Sequence, residues 1–278
     1  MALYIFDNVN YYKVFEVSFY MGSLYDDVRE DFNLFHDDYI EYQKKVDNVS
    51  KLFNLKNKAK LRNDYCPTYF EGNFEDNNYK YVIVGINPGF SEKQNPKEEA
   101  LKSKSWDEYL LFIKNFFKFF KNNKMKSFYY RRLSKLFSGL DVNYKKYPGF
   151  WDYYHDHLIN FDLIPYHSNQ FGISNSLTDE QKEYLKERVK STLNFIKELN
   201  EVRLILIHGK LSYLLFIENN LIPLENKKPF KLNEKINFYR FNLDGIPCVL
   251  FDKFITQPAF GLKTCDLEEK IPRLLNGC

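Results

Sequence analysis

The residues whose types and spacing best suit chemistry lie in one short run, Gly85-Ile86-Asn87-Pro88-Gly89-Phe90-Ser91. It follows Tyr81-Val82-Ile83-Val84, an apolar stretch that reads as a buried strand. A glycine lets the backbone turn sharply out of a strand, and Pro-Gly fixes a tight loop with exposed amides. Asn87 would then stand above the strand end, where its carboxamide can orient a water or a substrate; in the plainer alternative it only caps the turn. Pro165-Tyr166-His167-Ser168 follows a second apolar stretch and offers a ring for stacking and an imidazole for an anion, or else a structural turn with Tyr166 over the core. His208-Gly209-Lys210 ends a third stretch, and Gln257-Pro258 follows a fourth.

These four places need elements to position them. The four stretches are Tyr81–Val84, Leu158–Ile164, Val202–Ile207 and Cys248–Phe251, with Phe238–Phe241 as a further edge strand. Helical spacing covers 106–121 and 127–138, and Thr178-Asp179-Glu180-Gln181 is a capping box opening a helix to about 199. Another helix starts near Leu211 and a last short one follows Gln257-Pro258. Strand–helix alternation predicts an α/β fold, a three-layer α/β/α sandwich around a mainly parallel four-stranded sheet. In such folds ligands bind beyond the carboxyl ends of the strands, where all four places fall. Residues 1–60 contain no proline and read as a helical N-terminal extension to a domain spanning 61–278, which carries a helical insertion at about 92–157.

The run at 85–89 resembles the first active-site motif of the uracil-DNA glycosylase superfamily. It matches the Gly-Ile-Asn-Pro-Gly form of the mismatch-specific branch and is similar to the Gly-Met-Asn-Pro-Gly form of the single-strand-selective branch. The resemblance implies a monofunctional glycosylase that hydrolyses the N-glycosidic bond of uracil or a related base flipped out of DNA. Asn87 would hold the attacking water, while Gly85, Ile86, Pro88, Gly89 and Phe90 contact the base. Asn160, in Ile159-Asn160-Phe161, would read the edge of the base, or serve as a buried structural amide. Tyr166 and His167 join the substrate-binding set by position. The second motif of the superfamily, His-Pro-Ser or Asn-Pro-Ser, is matched by Gln257-Pro258-Ala259; Gln257 can donate a hydrogen bond to a base oxygen but carries no positive charge. Phe260 or Leu262 would be a wedge filling the vacated stack, or core. Phe90, Trp106 or Tyr109 would supply the ring that stacks on the base. A modified foreign base as the target, or a binding module without catalysis, are the alternative readings.

Charge fits a polyanionic partner. The formal net charge is +3, but residues 1–50 hold ten acidic and four basic side chains, which leaves +9 on the rest. Residues 97–136 carry eleven Lys or Arg against four Asp or Glu. Lys and Arg release counterions on meeting phosphates, so the charge suits a polyanion, which the resemblance implies is single- or double-stranded DNA; an ordinary solvated helix surface is the alternative. Cys66, Cys248, Cys265 and Cys278 form no C-x-x-C pair, and no iron–sulfur cluster, metal or organic cofactor is expected. His155-Asp156-His157 lacks a third metal ligand and reads as a polar helix end. No apolar run reaches the roughly 20 residues that span a bilayer. The expectation is an intracellular, cytoplasmic, bacterial-type monomer.

Overall fold

The computed structural model describes residues 22–86, 105–168, 176–218, 220, 229–253 and 261–276. Their centre is a seven-stranded mixed sheet ordered β1-β3-β2-β4-β7-β6-β5. The strands are β1 (Phe70–Glu71), β2 (Lys80–Gly85), β3 (Leu158–Asp162), β4 (Val202–His208), β5 (Phe230–Lys231), β6 (Asn237–Leu243) and β7 (Ile246–Phe251). The four expected stretches β3, β2, β4 and β7 are the parallel centre, with Gly85 opposite Asp162 and His208 opposite Phe251. The other three strands add antiparallel margins. The sheet is thus wider than the four strands expected. Phe238–Phe241 falls in β6, which is no edge, because β5 lies outside it.

The helices are α1 (Gly22–Asp37), α2 (Tyr39–Leu52), α3 (Trp106–Lys114), α4 (Phe116–Asn122), α5 (Phe128–Leu140), α6 (Phe150–His157), α7 (Asp179–Glu198), α8 (Lys210–Tyr213) and α9 (Ile271–Asn276). Side chains alternate along a strand, so Phe161 and Asn160 face opposite sides of the sheet. On the Phe161 side lies α7, whose Phe195 ring stands 5.5 Å from Phe161 and 5.1 Å from Phe70. On the Asn160 side lies α5, whose Phe137 ring is 5.1 Å from Tyr81. The Thr178 capping box opens α7 as the spacing predicts. The single helix expected over 106–121 is two, broken at Asn115. The break turns Phe116, Phe117 and Phe120 toward α5 and α6, where Phe117 meets Tyr130 and Tyr154.

The first two helices share this core. Asp31 of α1 is fully buried and accepts hydrogen bonds from the hydroxyls of Tyr69 and Tyr166, both at 2.8 Å, while Lys45 of α2 pairs with it at 2.5 Å. A buried carboxylate needs such donors, since an unpaired one costs several kcal/mol by rough reckoning. Trp106 and Tyr109 of α3 pack on Phe32 of α1, at 5.3 and 5.2 Å.

Candidate active site

The centre of the sheet is a topological switch point. β2 and β4 are neighbours, yet the chain leaves β2 toward β3 on one side and β4 toward β7 on the other. A crevice for ligands forms at the carboxyl ends of strands so connected. Gly85 ends β2 and His208 ends β4 at this place.

The strand ends are pinned up to the segments of interest. Leu163 N donates to Gly85 O at 3.2 Å and Ile164 N to Ile86 O at 2.7 Å, which holds the residue directly preceding Asn87. Gly209, at φ +114°, takes the chain out of β4 in a conformation that favours glycine. At the end of β7, the Asp252 carboxylate accepts from Asn237 N and from Asn237 Nδ2, both at 2.9 Å. Asn87, Pro88, Gly89, Phe90, Gln257 and Phe260 lie outside the described residues.

On the α5 side of the sheet the strand ends carry a polar cluster. Residues paired laterally point the same way, so Asp162, Gly85 and His208 form one row across three strands. Asn160 is one pleat behind Asp162, opposite Glu71 of β1. In β3, where every other residue is buried, Asn160 keeps solvent exposure, as Gly85 does at the end of β2. Asn160 Nδ2 donates to Asp162 Oδ2 at 3.3 Å. A carboxylate only accepts, so this contact turns the amide NH2 toward Asp162 and leaves the amide oxygen and one N–H for other partners.

Gly85 serves here by its lack of a side chain and not by its freedom of φ. A β-carbon on it would stand 2.7 Å from Asp162 Oδ1, closer than such atoms approach. The missing side chain makes room for the Asp162 carboxylate.

From above, α5 adds Tyr129 and Tyr130. The Tyr129 hydroxyl lies 2.9 Å from His208 Nε2, and Tyr130 donates to Glu71 Oε2 at 3.2 Å. Burial lowers the His208 pKa to about 4, so its imidazole is neutral at neutral pH. Burial, then the Asp162 and Glu71 carboxyls, push the Tyr129 phenol well up and keep it protonated. The pair is therefore uncharged; with the imidazole proton on Nε2, His208 donates to the phenol oxygen and the single phenol O–H is left to donate to a charge that develops beside it. From the sequence alone, Tyr129, Asp162 and Glu71 have no site role, and His208 is marked only by its place at a strand end. The available signal was Asp162, a carboxylate two residues from Asn160 in an otherwise apolar strand.

Other expected site residues are placed elsewhere. Tyr166 is 1 % exposed; its hydroxyl is spent on Asp31 and its ring packs edge-on to Tyr42 at 6.1 Å, so it is an anchor for α1 and not an open stacking surface. His167 is likewise buried, with Nε2 3.0 Å from Thr68 Oγ1 and its carbonyl accepting from Arg62 N. Leu262 is 4 % exposed and packs in the core, the second of its two readings and not the wedge. Trp106 and Tyr109 are committed to α1, and Tyr109 also donates to Pro67 O at 2.5 Å. His157 stacks on Tyr79 at 4.2 Å and its Nε2 is 2.7 Å from the Tyr147 hydroxyl. Among the described residues, no group of three or more His, Cys, Asp or Glu could hold a metal ion. No described helix is long and apolar enough to cross a membrane.

No protein-family model matches the chain, and no curated protein matches it significantly. The functional reading rests on its own residues.

Proposed function

We propose that this chain is a DNA glycosylase that hydrolyses the N-glycosidic bond of uracil or a related base flipped out of DNA, with Asn87 at the catalytic centre. One observation carries the reading: Gly85 and Ile86, which open the Gly-Ile-Asn-Pro-Gly run of the sequence, stand at the end of β2 at the switch point of the sheet, near the solvent-reaching Asn160. Helices on both faces of the sheet fit the three-layer arrangement of such enzymes. A base in a duplex must be unstacked before it can enter a crevice of this kind, at a cost of roughly a few kcal/mol.

Cleavage passes through an oxocarbenium-like sugar while the base departs as an anion. Asn87 positions a water against the anomeric carbon. The Asn160 amide, turned by Asp162, hydrogen-bonds the edge of the base. Backbone amides of the 86–90 run, Gln257 and the Tyr129 phenol are the donors available to the departing anion; preorganised donors of this kind are commonly worth about 3 kcal/mol each to a transition state. The water oxygen bonds to the anomeric carbon as the C–N bond breaks, one of its protons passes to the base anion, and the products are the neutral free base and an abasic site. Because an asparagine is no strong base, turnover is slow or favours a good leaving group.

The test is alkaline gel cleavage of oligonucleotides carrying uracil, hypoxanthine, a mismatched thymine or a modified cytosine, with Asn87→Ala as control. Abasic sites that disappear in Asn87→Ala establish the activity and name the base. Intact strands with every substrate refute it.

A further inference from the structure

We infer that the surface formed by the 124–127 turn and the exposed side of α5 binds single-stranded DNA, with Phe128 as a stacking platform for an unpaired base. The inference rests on the reading of the neighbouring crevice as a site for a base in DNA.

Charge separates this surface from the rest of the chain. Residues 109–140 contain eight Lys or Arg and no Asp or Glu. Folding neutralises part of the set: Lys114 pairs with Glu75, Lys121 with Asp152 at 2.5 Å and Lys135 with Glu268 at 3.0 Å. Arg132 donates to Leu262 O at 2.8 Å. Lys118, Lys124, Lys126 and Arg131 are exposed and have no ion pair among the described residues. Lys124 and Lys126 sit in the turn before α5, and Arg131 lies one helical turn beyond Phe128, on its side of the helix. Exposed cations in one turn and the helix that follows it, with no acidic residue between them in sequence, suit a polyphosphate strand.

Phe128 supplies what a phosphate grip alone lacks. Its ring is 53 % exposed at the first position of α5, with the Arg132 guanidinium 6.0 Å from its centroid. A large exposed ring among cations offers a π-face and loses little by being covered. Bases in a duplex already have both faces stacked, and those of a single strand do not, so this combination selects the strand. The surface also adjoins the crevice, because Tyr129, the next residue, reaches His208 at 2.9 Å. A strand held on Phe128 and Arg131 therefore runs to the carboxyl edge of the sheet.

The experiment is fluorescence anisotropy of a labelled oligothymidine strand with the full chain, over a range of salt, against a duplex of equal length. The strand is expected to bind more tightly than the duplex. The triple change Lys124→Ala, Lys126→Ala, Arg131→Ala should weaken binding at least tenfold and flatten the log–log salt slope by about 2, near 0.7 per lost phosphate contact. Phe128→Ala should weaken it roughly tenfold with the slope unchanged, and Phe128→Trp should restore it. Lys190→Ala, on the exposed side of α7, should change nothing. Duplex binding tighter than strand binding, or wild-type affinity in both patch variants, overturns the inference. Base release that persists with a patch-independent affinity removes the surface and leaves the glycosylase; patch-dependent binding without base release does the reverse.

Discussion

The Asp162 carboxylate lies over Gly85, where a β-carbon would come within 2.7 Å of its Oδ1. Two strands thus meet at a point where a side chain on Gly85 requires the carboxylate to move, one residue before Ile86 and two before Asn87. Gly85→Ala should push the carboxylate aside and release its hold on Asn160. The expected result is a stability loss of about 1–2 kcal/mol in urea unfolding and a fall in base release of tenfold or more. Unchanged activity would show that the packing of this row has no bearing on the reaction.

Asp162→Asn tests the orientation of Asn160. An amide can accept or donate, so it no longer dictates which end of the Asn160 carboxamide faces outward. Discrimination between bases that differ in donor and acceptor pattern, uracil and cytosine for instance, should drop roughly tenfold in kcat/KM, about 1.4 kcal/mol. A lower melting temperature with the same selectivity would make Asp162 a packing residue only.

His208 sets an acid limit on stability. Its pKa is lowered by burial from the ordinary 6.5 to about 4. The unfolded chain takes up a proton on this group as pH falls through 6.5, and the folded chain does so only near 4. Its contribution is therefore fully present above about pH 6.5 and shrinks toward pH 4, by at most about 3 kcal/mol. Unfolding free energies of wild type and His208→Gln should converge across that window. Tyr129→Phe removes the 2.9 Å contact with His208 at a cost of about 1 kcal/mol. If the phenol serves the departing base, kcat falls and KM holds.

Asp31 anchors the amino-terminal helices. Asp31→Ala strips Lys45 and the hydroxyls of Tyr69 and Tyr166 of their shared partner. A loss of about 3–5 kcal/mol is expected in chemical denaturation. Tyr166→Phe, which removes one of these bonds, should cost about 1 kcal/mol and leave the choice of base untouched. A change of substrate preference in Tyr166→Phe would return that ring to the site.

What local pattern determines is legible in the chain itself. The four apolar stretches became the parallel strands, the Thr178 box opened α7, and Gly85 and His208 ended their strands as their types suggest. Each of these depends on residues a few positions apart, where periodicity and capping act. Strand order depends on contacts between residues far apart, and so do β1 and β5, which are too short to announce themselves. The same distance hid Tyr129, which nothing near it in sequence links to His208, 79 residues on. It also left the readings of Tyr166 and Leu262 open between site and core: both stand beside a strand end or a turn, and their surroundings in space are Asp31 and the core. Side-chain type and strand position specify which residues reach the carboxyl edge of the sheet. Only tertiary packing decides which of them stay open to a substrate, because burial is settled by elements that the chain brings in from elsewhere.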